Sequence, residues 1–162
     1  MKTALYIGSH AKDAWDVRAG WAITRAVQRG IYRNVTHCEM IHAENADGTV
    51  TIASASVRDK GVRTKQNVRL TPGNWLIADV PVWSLQQSID WFVFNDGLAY
   101  DWRGAVASVL RTGQDPNGYF CNECCAASVG FKDPDTFTPA QYAAIAMSSG
   151  KDLTNDFFGV RK

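Results

Sequence analysis

Three of the chain's four cysteines fall within five positions, Cys121, Cys124 and Cys125, in the stretch YFCNECCAAS directly after a turn-forming DPNG. Four chemistries compete for such a cluster. A structural zinc site needs four ligands converging tetrahedrally. The remaining ones would have to come from Cys38 or His37, which point to opposite faces of a strand, and no second Cys-x-x-Cys or His-x-x-x-His follows, so no metal is expected. A thioredoxin-like redox pair belongs in a βαβ setting with a parallel sheet, which this chain does not present, and a disulfide between adjacent Cys124 and Cys125 would be strained. Free cysteine is among the most buried residue types, so Cys124 and Cys125 read as small core residues on a helix.

Cys121 is different because it opens the helix. Unpaired first-turn N–H groups and the helix dipole favour an anion there, lower a thiol pKa and can hold a developing oxyanion. A thiolate nucleophile needs a base. Of the three histidines, His10, His37 and His42, only His37 lies on an expected strand with an acid, Glu39, two positions on and therefore on the same face. Residues 37 and 121 must then meet through the fold.

The elements that would bring them together come in two blocks. TALYIG reads as a short first strand, and DVRAGWAITRAVQRG carries Val17, Trp21, Ile23 and Val27 at roughly helical spacing before Gly30. VTHCEMIH alternates, with His37, Glu39 and Ile41 on one face and Cys38, Met40 and His42 on the other. ADG turns it into TVTIASAS, and GVRTKQNVRL and NWLIADVP complete about four antiparallel strands. Helices follow: Ser84 caps LQQSIDWFVF, Asp101 caps WRGAVASVLR, the cysteine helix ends at Gly130, and Thr138 with Pro139 starts AQYAAIAM. Strands in one block and helices in another predict an α+β fold with an antiparallel sheet packed against helices.

The totals set bounds on this reading. A chain of 162 residues with 46% hydrophobic content suits one domain, residues 1 to 162, burying roughly two thirds of its unfolded surface. Lys and Arg number 17 against 16 Asp and Glu, so charge points neither to nucleic acid nor to an anionic membrane. No apolar run approaches the roughly 18 residues of a membrane span, and the N-terminus lacks a signal-peptide core, so the expected compartment is a reducing cytoplasm.

Taken in order, YRNVTHCEMIH, SASVRDKGVR, GNWLIADVP, GLAYDWRGAVASVL and YFCNECCAASVG resemble the circularly permuted papain-like members of the NlpC/P60 superfamily. Their YiiX-like group is related also to lecithin retinol acyltransferases. The resemblance spans roughly residues 17 to 130. It implies a permuted papain-like fold in which His37 of the T-H-C-E motif is the general base, with Cys38 in the place of a valine. Cys121 of F-C-N-E is implied as the nucleophile, with Asn122 in the place of a serine. Tyr100 and Asp101 are put near the site by A-Y-D-W-R-G, Tyr100 as an oxyanion or substrate contact. Glu39 is the candidate third member, against Thr49, Thr51 or Ser54 on the next strand. The implied activity is that of a cysteine hydrolase, peptidase or amidase-like, acting without a cofactor on a peptide or acyl substrate, with cell-wall peptides among the candidates.

Two features bear on the substrate. Arg58, Lys60, Arg63, Lys65 and Arg69 form a basic segment that reads first as a solvated strand face and second as a surface for an anionic ligand. Trp75, Trp83, Trp91 and Trp102 read mainly as core. The competing readings are a non-catalytic binding or structural module with the same fold, one of phage origin among them, and an acyltransferase acting on lipid.

Overall fold

Period-two alternation of apolar residues builds the frame of the molecule. The computed structural model describes residues 1–8, 18, 22, 24–26, 28–105 and 118–160. Five longer strands, β1 (Lys2–Tyr6), β2 (His37–Glu44), β3 (Val50–Ser56), β4 (Gly61–Val68) and β5 (Trp75–Asp79), join three two-residue strands, β6 (Ala99–Tyr100), β7 (Gly118–Tyr119) and β8 (Lys151–Asp152). They form one sheet in the order β7-β6-β4-β3-β2-β1-β5-β8. Every pairing is antiparallel except β6 with β7. The first strand is therefore internal, with Ala4 registered against Glu39 on one side and Ile77 on the other.

Each strand sends alternate side chains to two cores. Leu5, Cys38, Met40, Ala53 and Ala78 pack against Phe92, Cys124, Cys125 and Tyr142 from the helices. Ala4, Ile41, Val50, Ile52 and Ile77 face the other way, where Trp75, Leu153, Phe157 and Phe158 cover them. The two faces of VTHCEMIH fall as the alternation predicts. The β3–β4 pairing slips between Val50 and Ile52 of β3, opposite the β4 segment in which Asn67 takes a left-handed backbone at φ 56°. The strand ends at Val68, before Arg69.

The helices start where capping chemistry places them. Helix α1 (Leu85–Phe94) follows Ser84, whose hydroxyl accepts from the Gln87 N–H at 3.2 Å. Helix α2 (Cys121–Ser128) follows β7 and gives way to Gly130 at φ +83°. Helix α3 (Pro139–Ser149) opens with a reciprocal Thr138–Gln141 box and proline in its first turn. The tail, which carries no clear sequence signal, adds β8 and a short α4 (Thr154–Phe157), with the Thr154 hydroxyl accepting from the Ile77 N–H at 2.9 Å.

Asp101 caps as expected, its carboxylate accepting from the Gly104 N–H at 2.7 Å, and residues 102–105 are helical. The rest of that expected helix and most of DPNG, residues 106–117, lie outside the described residues. So do His10, Val17, Trp21, Ile23 and Val27, although residues 18, 22 and 24–26 are helical as predicted. Among the described residues no helix is long and apolar enough to cross a membrane.

Candidate functional site

The parallel step from β6 to β7 delivers the chain to α2 through Phe120, which holds an extended backbone at φ −106°, ψ 169°. Phenylalanine has no capping oxygen. Glu123 instead reaches back and accepts the Phe120 N–H at 3.2 Å, while the helix's first N–H groups have no intrahelical acceptor. Helix α2 is buried on almost every side, Cys121 being 2% exposed. Burial pushes the Glu123 carboxyl up to about 7, opposed by the Phe120 N–H and reinforced by Asp101, Asp135 and Cys121. The Asn122 amide is spent elsewhere, donating to the Phe137 carbonyl.

Strand β2 opens on His37, which faces Tyr6 in the register of β1. Its Nε2 lies 2.7 Å from Glu39 Oε1, and the ring also contacts the Cys121 thiol. Glu39 in turn accepts from Arg63, Nη1 to Oε2 at 2.7 Å and Nη2 to Oε1 at 2.5 Å. The structure thus joins Cys121, His37, Glu39 and Arg63 in one chain of contacts from α2 across β2 to β4.

The charges of the group are mutually dependent. Burial pulls the His37 imidazole down, but the Glu39 carboxylate and the Cys121 thiolate outweigh it and hold the ring at about 9. Burial pushes Glu39 up, yet Arg63 and His37 bring it to about 2. Cys121 is held well below an ordinary thiol, first by a hydrogen bond from the Cys38 side chain, against burial, and then by His37 and the Cys38 backbone N–H. Cys38 itself and Cys125 are pushed up by burial. The arrangement favours a thiolate beside an imidazolium at neutral pH.

Tyr100 on β6 is partly buried, and burial together with the nearby Cys121 thiolate keeps its phenol protonated. It shares with His37 a cleft of about 220 Å³ whose walls include Tyr6, Ile52, Val68 and Trp75. Trp75 meets the His37 ring edge to face at 6.5 Å. Arg58, Asp59, Arg63 and Lys65 lie along the polar side of that cleft.

The alternatives to Glu39 make their contacts with other partners. The Thr49 hydroxyl donates to Asp47 at 2.7 Å, Thr51 is registered against Ala43 at the far end of β2, and the Ser54 hydroxyl donates to the Cys38 carbonyl at 2.7 Å. His42 sits beside Ser88, 3.1 Å from its hydroxyl, and burial holds it down at about 4. Cys124 and Cys125 are buried as expected, and Cys124 is more than an apolar filler, because its sulfur accepts the Ala55 N–H at 3.0 Å. Among the described residues no three His, Cys, Asp or Glu side chains converge as metal ligands.

The basic segment is largely neutralised from within. Arg63 and Lys65 share Asp59 at 2.8 and 2.6 Å, and Arg69 donates to the Asp47 carbonyl. Reading Arg63 as part of a solvated face is corrected here: its side chain is 14% exposed because the buried Glu39 draws it in. Two residues of the site, Arg63 and Cys38, escape a reading of motifs. Arg63 has no local signal, because the acid it meets, Glu39, lies 24 residues earlier on another strand. The signal for Cys38 is a thiol where the resembling motif carries valine. Trp83 and Trp91 are core or near-core residues, packed on Tyr142 and Tyr119, whereas Trp102 is 41% exposed.

No family model matches the chain, and neither a curated protein nor a solved structure matches it.

Proposed function

We propose that the chain is a thiol-dependent hydrolase, peptidase or amidase-like, with Cys121 as nucleophile and His37 as base. The observation that carries this reading is the contact of His37 with both the Cys121 thiol and the Glu39 carboxylate. The permuted papain-like NlpC/P60 superfamily is the fold family proposed with it, supported by the order of a histidine strand before a cysteine helix.

In this mechanism the Cys121 thiolate attacks an amide, ester or thioester carbonyl. The Cys121 backbone N–H and the Tyr100 hydroxyl donate to the oxyanion, a contribution of about 3 kcal/mol when aligned. The His37 imidazolium gives its proton to the leaving group, and the neutral ring then takes one from the water that releases the acyl group. Glu39 holds the ring and offsets its charge. The cleft between Trp75, Tyr6 and Tyr100 is the approach for the acyl part of the substrate.

A second reading rests on the 2% exposure of Cys121. A thiol so enclosed favours a binding or structural module in which the same contacts are only stabilising. Alkylation separates the two. Cysteine-resolved mass spectrometry across pH is expected to show Cys121 reacting well below the roughly 8.5 of a free thiol, and His37→Ala to abolish that advantage. If Cys121 reacts no faster than Cys124 and Cys125 in both proteins, the hydrolase reading is refuted.

A further inference from the structure

We infer that Arg63 is a positioning residue of this site, fixing the Glu39 carboxylate in the orientation and charge state that His37 requires. This rests on the Cys121–His37 reading and extends it outward to a residue on another strand.

The geometry is that of a clamp. A guanidinium presents parallel donors that match a carboxylate edge, and Arg63 sends Nη1 and Nη2 to the two different oxygens of Glu39. Its Nε donates to Asp59 at 2.8 Å and Nη1 also reaches the Ser54 carbonyl at 3.2 Å, so the fork is itself held on three sides. The β3–β4 register fixes the arginine opposite Ser54. Oxygen Oε1, which accepts from Arg63, is the same atom that lies 2.7 Å from His37 Nε2. Rotating the carboxylate to serve the ring differently would break an arginine contact.

Glu39 is 2% exposed and water does not supply what Arg63 supplies. The charged or titratable groups around the pair are Tyr6 on β1, His37 and Cys38 on β2, Arg63 and Lys65 on β4, Asp59 and Arg58 in the preceding turn, Tyr100 on β6 and Cys121 on α2. Among the described residues, the hydrogen bonds to the Glu39 carboxylate come from His37 and Arg63. Without the arginine the buried carboxyl protonates at higher pH, no longer supports the imidazolium, and the Cys121 thiolate is lost with it.

The test is the acid limb of Cys121 alkylation by iodoacetamide in the full chain. Arg63→Gln is expected to move that limb up by about one pH unit or more, some tenfold slower alkylation at a fixed acidic pH. Arg63→Lys keeps the charge without the fork and is expected to move it by about half as much; being the milder change, it carries the test if Arg63→Gln does not fold. Arg69→Gln, which removes an equal charge from an exposed contact with the Asp47 carbonyl, is expected to keep the parent's limb. In the Glu39→Gln background, Arg63→Gln is expected to add nothing, because the arginine acts through the carboxylate.

The inference is overturned if the Arg63 variants keep the parent's profile, if Arg69→Gln shifts it as far, or if the Arg63 and Glu39 effects add in full. A parent protein whose Cys121 shows no low-pH reactivity, or one that His37→Ala leaves unchanged, refutes the Cys–His reading itself. The parent and His37→Ala controls therefore identify which of the two has failed.

Discussion

Replacing Glu39 by Gln should cost stability at neutral pH and almost nothing in acid. The carboxylate is buried between Arg63 and His37 and is held at about 2 against an ordinary 4.5. That depression corresponds to roughly 3 kcal/mol of stability. Because the folded pKa lies below the unfolded one, this contribution is complete above about pH 4.5 and is lost as pH falls toward 2. Gln is nearly isosteric with the protonated acid, so parent and variant should converge there. Asp59 and Asp47, also held below ordinary carboxyls by hydrogen bonds and nearby cations, titrate in both proteins and cancel in the difference. Urea titrations at pH 7, 5, 3 and 2, followed by tryptophan fluorescence, should show midpoints differing by about 1–2 M at pH 7 and coinciding at the lowest pH. A difference below about 1 kcal/mol at pH 7, or one that persists undiminished at pH 2, would show that the carboxylate is not stabilised by its partners as argued.

Two further outcomes follow from the site. Cys38→Val removes the side-chain donor to Cys121, and since a thiol is a weak donor the Cys121 pKa should rise by about one unit; alkylation near pH 6 would slow while the alkaline plateau stays unchanged. Tyr100→Phe should lower turnover of a p-nitrophenyl ester by about 10–100-fold through loss of an oxyanion donor, with the Cys121 alkylation rate held within about twofold, since alkylation develops no oxyanion.

Much of this arrangement is legible from single residues and their neighbours. Ser84, Asp101 and the Thr138–Pro139 pair announce their helix starts because capping is local chemistry. The alternation of VTHCEMIH places His37 and Glu39 on one face because strand geometry leaves no other choice. What the sequence hides is relations across strands. The insertion of β1 between β2 and β5, and the reach of Arg63 to Glu39, depend on strand order and register, which no local pattern encodes. The two-residue strands β6, β7 and β8 are too short for any periodicity to declare them. The parallel pairing of β6 with β7 nevertheless aims α2 at His37.

The internal position of β1 also has a kinetic side. Its partners β2 and β5 come from distant parts of the chain, and α2 comes later still, so the contacts that lower the Cys121 thiol join positions far apart in sequence. Such contacts form slowly and late, because loop closure is paid before it is rewarded. During refolding, Glu39 and Arg63 can meet through successive hairpins while Cys121 is still an ordinary thiol. Its reactivity then switches on with the docking of α2, and a brief alkylation pulse would time that step.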